Sequence, residues 1–269
     1  MLSSINSKKT ILSPFRYHFF RIYIYHPFLF ILNIFRYPLM SIKLLTKVST
    51  NNIFSLYDLR IKSPRKIDDY FFANLNSKFN SFMMEKYEED EKTLIEKYLS
   101  DDDIVLELGG CIGVVSNIIN KKIRNKNNHL VLEIDRHKYK YLEFNKDLNK
   151  SGYTIVNGVL SNKKDLYYLS SNNFLGGKLV NVITDVPIKS FTLQELKDKH
   201  KLKYNTLVMD IEGGEVEVFK ENDLSSFNKL IFEIHFKRND SRYIEIEKKL
   251  NFKNFVKIEE LGNVEYWCK

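Results

Sequence analysis

Acidic side chains gather at four points of this chain, each where a short apolar run stops. Glu107 stands in Val105-Leu106-Glu107-Leu108 and is followed by Gly109-Gly110-Cys111-Ile112-Gly113. Glu133 and Asp135 close the run Leu130-Val131-Leu132-Glu133-Ile134-Asp135. Asp210, Glu212 and Glu215, with Gly213 and Gly214 among them, follow Thr206-Leu207-Val208-Met209, and Phe232-Glu233-Ile234-His235 ends the next run. Glycines after a strand let the chain turn tightly and let backbone approach a ligand closely. The E-x-G-x-x-x-G spacing differs from the G-x-G-x-x-G turn that sets a pyrophosphate on a helix N-terminus. An acid at that strand end suits a cationic group instead, which is the role expected of Glu107. An acid after the second strand commonly binds ribose hydroxyls. Glu133 is expected there, with Asp135 capping the following helix.

The candidate cofactor-binding set is therefore Glu107, Gly109, Gly110, Cys111, Gly113, Glu133, Asp135 and Asp210. Crowded carboxylates raise one another's pKa, as a general base requires. Asp210 is the first candidate base, with Glu212 and Glu215 positioning a substrate or bracing the turn. The competing reading of these acids is a capped helix start. His235 is the second candidate base, since a free imidazole titrates near ~6.5; its competing reading is a hydrogen-bonded structural residue. Asp210, His235 and Glu212 form the catalytic candidates. No metal is expected, because no His or Asn joins the acidic cluster at ligand spacing in the sequence and the two cysteines form no CxxC pair.

These residues need strands to carry them. Ile104–Leu108, Leu130–Ile134, Tyr153–Val156, Thr206–Met209 and Leu230–Ile234 read as buried strands, because short β-branched apolar runs without alternation mark a sheet covered on both faces. Between them, 85–99, Ile112–Lys122, His137–Asn149 and about Glu215–Lys220 carry helical spacing. Asn162–Ile188 is polar and irregular, an insertion of loops or short strands. Phe255–Ile258 and Val264–Cys268 suit a terminal antiparallel hairpin. Alternating β and α elements predict a mostly parallel, doubly wound sheet with ligands beyond the carboxyl ends of its strands.

Charge divides the chain. Residues 1–84 hold 12 Lys/Arg against 3 Asp/Glu, and the remainder 30 against 31. The expected organisation is a basic, aromatic-rich N-terminal segment at 1–84 and a catalytic α/β domain at 85–269. The longest charge-free run, Ile22–Phe35, is 14 residues long and broken by Pro27, short of the ~20 needed to span a bilayer. Two readings of the segment stay open. Residues 1–78 lie in the membrane interface as a peripheral contact, or they form a helical lid on the domain. A cytoplasmic setting is expected, with membrane association on the first reading. Nucleic acid is disfavoured as a partner, because the basic charge lies off the catalytic domain. The oligomeric state is not legible.

In order along the chain, Tyr87-Glu88, Val105-Leu106-Glu107-Leu108-Gly109-Gly110-Cys111-Ile112-Gly113, Val131-Leu132-Glu133, Ser190-Phe191-Thr192-Leu193, Val208-Met209-Asp210-Ile211-Glu212-Gly213-Gly214-Glu215 and Glu233-Ile234-His235 resemble the FkbM methyltransferases. The D-x-E-G-x-E pattern of that family fits Asp210, Glu212, Gly213 and Glu215. The sequence departs from it at Ile134, where Pro is usual after the acid. The resemblance implies a Rossmann-like methyltransferase fold, S-adenosyl-L-methionine as cofactor, and O-methylation of a hydroxyl on a sugar, glycan or related metabolite. The alternatives are an RNA methyltransferase and a non-catalytic nucleoside-binding protein at a membrane.

Overall fold

The computed structural model describes residues 53–62, 87–164, 166–170, 177–180 and 187–269. Residues 1–52 and 63–86 lie outside them, and with them the proposed N-terminal anchor or lid and the expected domain boundary at 84/85. Contacts divide the chain into two units, one made of residues 55–62 and 86–269, the other of 1–54 and 63–85. Among the described residues no helix is long and apolar enough to cross a membrane.

The elements, in chain order, are β1 (Ile53–Leu56), β2 (Leu59–Lys62), α1 (Glu89–Tyr98), β3 (Val105–Leu108), α2 (Val114–Lys122), β4 (His129–Glu133), α3 (Arg136–Leu148), β5 (Thr154–Asn157) and β6 (Val159–Leu160). There follow β7 (Leu166–Ser170), β8 (Gly177–Val180), β9 (Pro187–Ile188), β10 (Ser190–Phe191), α4 (Leu193–His200), β11 (Thr206–Met209), α5 (Glu215–Glu221), β12 (Lys229–Glu233), α6 (Ser241–Phe252), β13 (Val256–Leu261) and β14 (Val264–Cys268). Seven strands form the main sheet in the order β13-β14-β12-β11-β3-β4-β5. The five from β5 to β12 run parallel, and β14 inserts antiparallel between β12 and β13. This is the Rossmann-like methyltransferase architecture, including the terminal hairpin.

Every residue of β3, β4 and β11 is buried, which is why their sequences are apolar without alternation. Alternate side chains nevertheless serve different layers. Leu106, Leu108, Leu130, Leu132, Leu207, Met209, Leu230 and Phe232 pack with Leu196 of α4, Val218 and Phe219 of α5, and Tyr243, Ile246 and Leu250 of α6. On the opposite face Val131 packs with Leu142 of α3 and Tyr153. Glu107 is in register with Val131 and Val208, so its side chain enters that second layer.

Chain order reverses between β3 and β11, the position where open α/β sheets leave a crevice for ligands. Register then decides which loop residues meet. Met209 lies opposite both Leu108 and Phe232, so the residues that follow, Gly109, Asp210 and Glu233, emerge side by side. The approach is close: a Cβ on Gly109 would fall 1.8 Å from the Asp210 carbonyl oxygen, and Gly109 has φ +92°. Only glycine fits.

Two helices and a hairpin complete the unit without having been expected. Helix α4 starts with a capping box, in which Thr192 Oγ1 accepts from Glu195 N and Glu195 Oε2 accepts from Thr192 N. Helix α6 starts at Asp240, whose carboxylate accepts from Arg242 N. Strands β1 and β2 pair through a turn at Tyr57 and Asp58, both at positive φ, as a two-residue hairpin demands. Strand β2 is held by amide side chains of α3. Asn145 accepts from Lys62 N at 2.7 Å and donates to Lys62 O at 3.0 Å, while Asn149 does the same with Arg60. Asn145 is fully buried and also donates to Ile112 O at 2.7 Å. Replacing Asn145 with Ala leaves these three backbone groups unpaired and should cost about 3 kcal/mol of unfolding free energy. At the more exposed Asn149 the same change should cost about 1 kcal/mol. Urea denaturation of the two variants measures both.

Candidate functional site

At the carboxyl ends of β3 and β11 lies a cleft of about 310 Å³, counted with its open mouth. Its wall is made by Tyr87, Glu88 and Glu91, by Glu107, Leu108, Gly109, Gly110, Cys111 and Ile112, by Val114 and Val115, and by Asp210. Of the expected cofactor set, Glu107, Gly109, Gly110, Cys111 and Asp210 line it. Gly113 does not: it is the N-cap of α2 at φ 87°, and the space of its missing side chain is closed by Leu142 and Tyr153.

Glu107 is 2% exposed and each oxygen already has a partner. Ser116 Oγ donates to Oε1 at 2.7 Å, and the His129 ring lies against Oε2 at 2.7 Å. Through Ser116, Glu107 ties the first strand to the helix that follows the turn, while the residue also lines the cleft.

Glu133 holds the turn from the other side. Its Oε2 accepts from Cys111 N and its Oε1 from Asp135 N, both at 2.7 Å. The first bond fixes Cys111 at φ 48°, a conformation that costs a non-glycine residue of order 1 kcal/mol. Burial pushes the Glu133 carboxyl up to about 7 despite these two donors. Asp135 caps α3 by accepting from His137 N at 2.8 Å, as expected of it. Burial also pushes the Cys111 thiol up to about 12, so it lines the cleft as an uncharged group beside Tyr87, whose hydroxyl is 3.9 Å from Sγ. The backbone of Tyr87 is held in turn by Tyr57 of the hairpin, whose hydroxyl donates to the Tyr87 carbonyl at 2.9 Å.

The acidic turn after β11 closes around one histidine. His235 Nδ1 is 2.9 Å from Oε1 of Glu215, which is fully buried, and Nε2 faces Glu212 Oε2 at 3.4 Å and Asp210 Oδ1 at 3.5 Å. Glu215 Oε1 also accepts from Gly213 N at 3.0 Å. Burial pulls the imidazole down, but Glu215, Asp210 and Glu233 outweigh it and raise His235 to about 9. Burial, with like charge from Glu88 and Glu233, pushes Asp210 up to about 8 against the pull of His235. Asp210 Oδ1 is buried without a hydrogen-bond partner.

The carboxylates around His235 favour its protonated form, and its charge in turn pulls Asp210 down. A histidine does join the cluster: Asp210, Glu233 and His235 each bring a ligand-type atom within 4.8 Å of the others. The spacing argument against a metal therefore fails, although the protonated ring has no lone pair to offer one. Glu88, Glu91 and Glu233 were not expected at the site. Glu91 carried a readable signal, since it stands three and four residues before Leu94 and Ile95, the buried face of α1.

Burial has a stability consequence. Glu133, Glu88 and Asp210 have folded-state values of about 7, 7 and 8, above the ~4 of an unfolded carboxyl. Between these limits the folded protein binds more protons than the unfolded one, so stability falls as pH rises. The thermal midpoint of the ligand-free protein should decline steadily between about pH 5 and pH 8, as read by differential scanning calorimetry.

The Methyltransferase FkbM domain matches residues 107–262, more than half of the chain. Comparison with curated proteins found no match. Among solved structures, a ribosomal protein L11 methylase from Lactobacillus delbrueckii subsp. bulgaricus is similar at 14% identity and TM-score 0.43, covering 68% of this chain and 77% of that one. Aeropyrum pernix fibrillarin with natively bound S-adenosyl-L-methionine shares 10% identity at TM-score 0.43, over 66% and 74%. Precorrin-6y C5,15-methyltransferase from Geobacter metallireducens GS-15 shares 14% at TM-score 0.42, over 68% and 89%. By its domain match the chain belongs to the FkbM methyltransferase family, with S-adenosylmethionine as its methyl donor.

Proposed function

We propose that the protein transfers a methyl group to a hydroxyl of a sugar, glycan or related metabolite, and that Asp210 takes the hydroxyl proton. The observation that carries this reading is the Asp210 carboxyl itself, which lines the cleft with a buried oxygen that accepts no hydrogen bond, 3.5 Å from His235 Nε2, and a pKa raised to about 8. A base poised near the working pH suits a hydroxyl acceptor. The bound cofactor supplies an electrophilic methyl group on a cationic sulfur. The residues fit such a nucleoside: Gly109, Gly110 and Cys111 line the cleft, and Glu133 and Asp135, at the end of β4 beside that turn, are assigned to the ribose hydroxyls. A cation held beside Asp210 favours its ionised form, so loading the donor primes the base. His235, fixed by Glu215, and Glu212 at the turn set the charge around it. The near-neutral balance of residues 85–269 supports a small or glycan acceptor over nucleic acid.

Incubation with methyl-labelled donor and a panel of sugars, glycans and lipid-linked sugars should yield a methoxy product by mass spectrometry and NMR. Label recovered only on nitrogen or carbon would overturn the reading. Asp210→Asn should lower kcat by at least ~10²-fold with an unchanged circular dichroism spectrum. In the parent enzyme kcat should rise with pH through a limb below the ligand-free Asp210 value of about 8, because the bound cation lowers it. Since His235 lowers that value and Glu212 raises it, His235→Gln should move the limb to higher pH and Glu212→Gln to lower pH.

The basic, aromatic composition of residues 1–78 supports peripheral contact with anionic membranes. The full chain should float with anionic vesicles, be released by high salt, and stay down with neutral ones.

A further inference from the structure

We infer that Glu91, with Glu88 at the N-cap of the same helix, receives the cationic α-ammonium end of the methyl donor. This rests on the donor assigned above and replaces Glu107 in that role. Glu88, Glu91, Glu107 and Asp210 line the cleft, and the other acids around it are committed to partners of their own, as Glu107 and Asp210 are. Glu107 serves Ser116 and His129, Glu133 serves the backbone of Cys111 and Asp135, and Asp210 and Glu215 face His235. Glu91 is 3% exposed and has neither a hydrogen bond nor an ion pair among the described residues. It lies on the buried face of α1 beside Leu94 and Ile95, both 0% exposed, and forms part of the cleft wall with Glu88, Gly109 and Asp210.

A carboxylate left in such a place without a counter-charge costs stability. Its neighbours make matters worse: burial first, then Glu88, Asp210, Glu107 and Glu233, hold its carboxyl well above the usual range. An apolar or amide side chain would fill the same space without that cost, so the acid is explained by a positive group arriving from the cleft. The donor brings one on its amino-acid portion, at the far end from its nucleoside. Burial and these carboxylates favour the protonated form of Glu91, and an ammonium group entering the cleft favours the ionised one.

The test is calorimetric titration of the full chain and of Glu91→Gln with three ligands. S-adenosylmethionine and S-adenosylhomocysteine both carry the ammonium group, whereas 5′-methylthioadenosine lacks the amino-acid portion. The variant should bind the first two about 10- to 100-fold more weakly, the worth of a hydrogen bond to a charged group, and methylthioadenosine within about twofold of the parent. The free variant should also melt higher than the parent at pH 8, because a buried acid has been removed. Equal losses for all three ligands, or a lower melting point with no ligand preference, would make Glu91 a structural residue and overturn the inference. Unchanged affinity for all three would overturn it as well. Failure of the parent chain to bind S-adenosylmethionine at all would instead sink the cofactor assignment.

Discussion

Carboxyl groups crowded at the sheet's switch point are the constraint from which the rest of this structure follows. Glu88, Glu91, Asp210, Glu212, Glu215 and Glu233 converge there, and one histidine, His235, answers them. An arrangement so under-compensated is stable only because the surrounding fold is over-determined. Layers of leucine and phenylalanine clamp β3, β11 and β12 in register, and the register puts Gly109 against Asp210 and Asp210 beside Glu233. The imbalance is also what makes the cleft selective. A ligand that carries positive charge in two places is drawn to it, and a phosphate is repelled.

The turn after β3 shows how few bonds hold the geometry in place. Glu133 ties Cys111 to the end of the neighbouring strand, Glu107 ties the strand to α2 through Ser116, and Asn145 ties Ile112 to α3. Each is a polar side chain with buried partners, so each is worth more than a surface contact and is correspondingly costly to lose. Acids that a sequence reader would assign to the ligand are thus divided between scaffolding and recognition. Position in a motif does not say which duty a carboxylate has; only its partners do.

Much of the fold was legible because buried parallel strands advertise themselves as unbroken apolar runs. The strands Thr206–Met209 and Val264–Cys268 match the sequence reading to the residue and the other parallel strands within one, while β13 runs three residues past Ile258. The acids at strand ends were legible for the same reason, as polar residues interrupting those runs. What stayed hidden depended on long-range register. Nothing between Asp210 and His235 in sequence says that they end 3.5 Å apart; that distance follows from Met209 facing Phe232 across the sheet. Helices α4 and α6 were overlooked although Thr192-x-x-Glu195 and Asp240 announce their starts, because their apolar faces are narrow. Strands β1 and β2 were lost in an aromatic segment whose composition spoke louder than its alternation.

The bridging amide of Asn145 has a mechanical meaning. One side chain grips Lys62 on the strand arriving from the N-terminal segment and Ile112 in the glycine turn. A pull on this strand reaches the glycine turn at the cleft through Asn145, with α3 as the fulcrum.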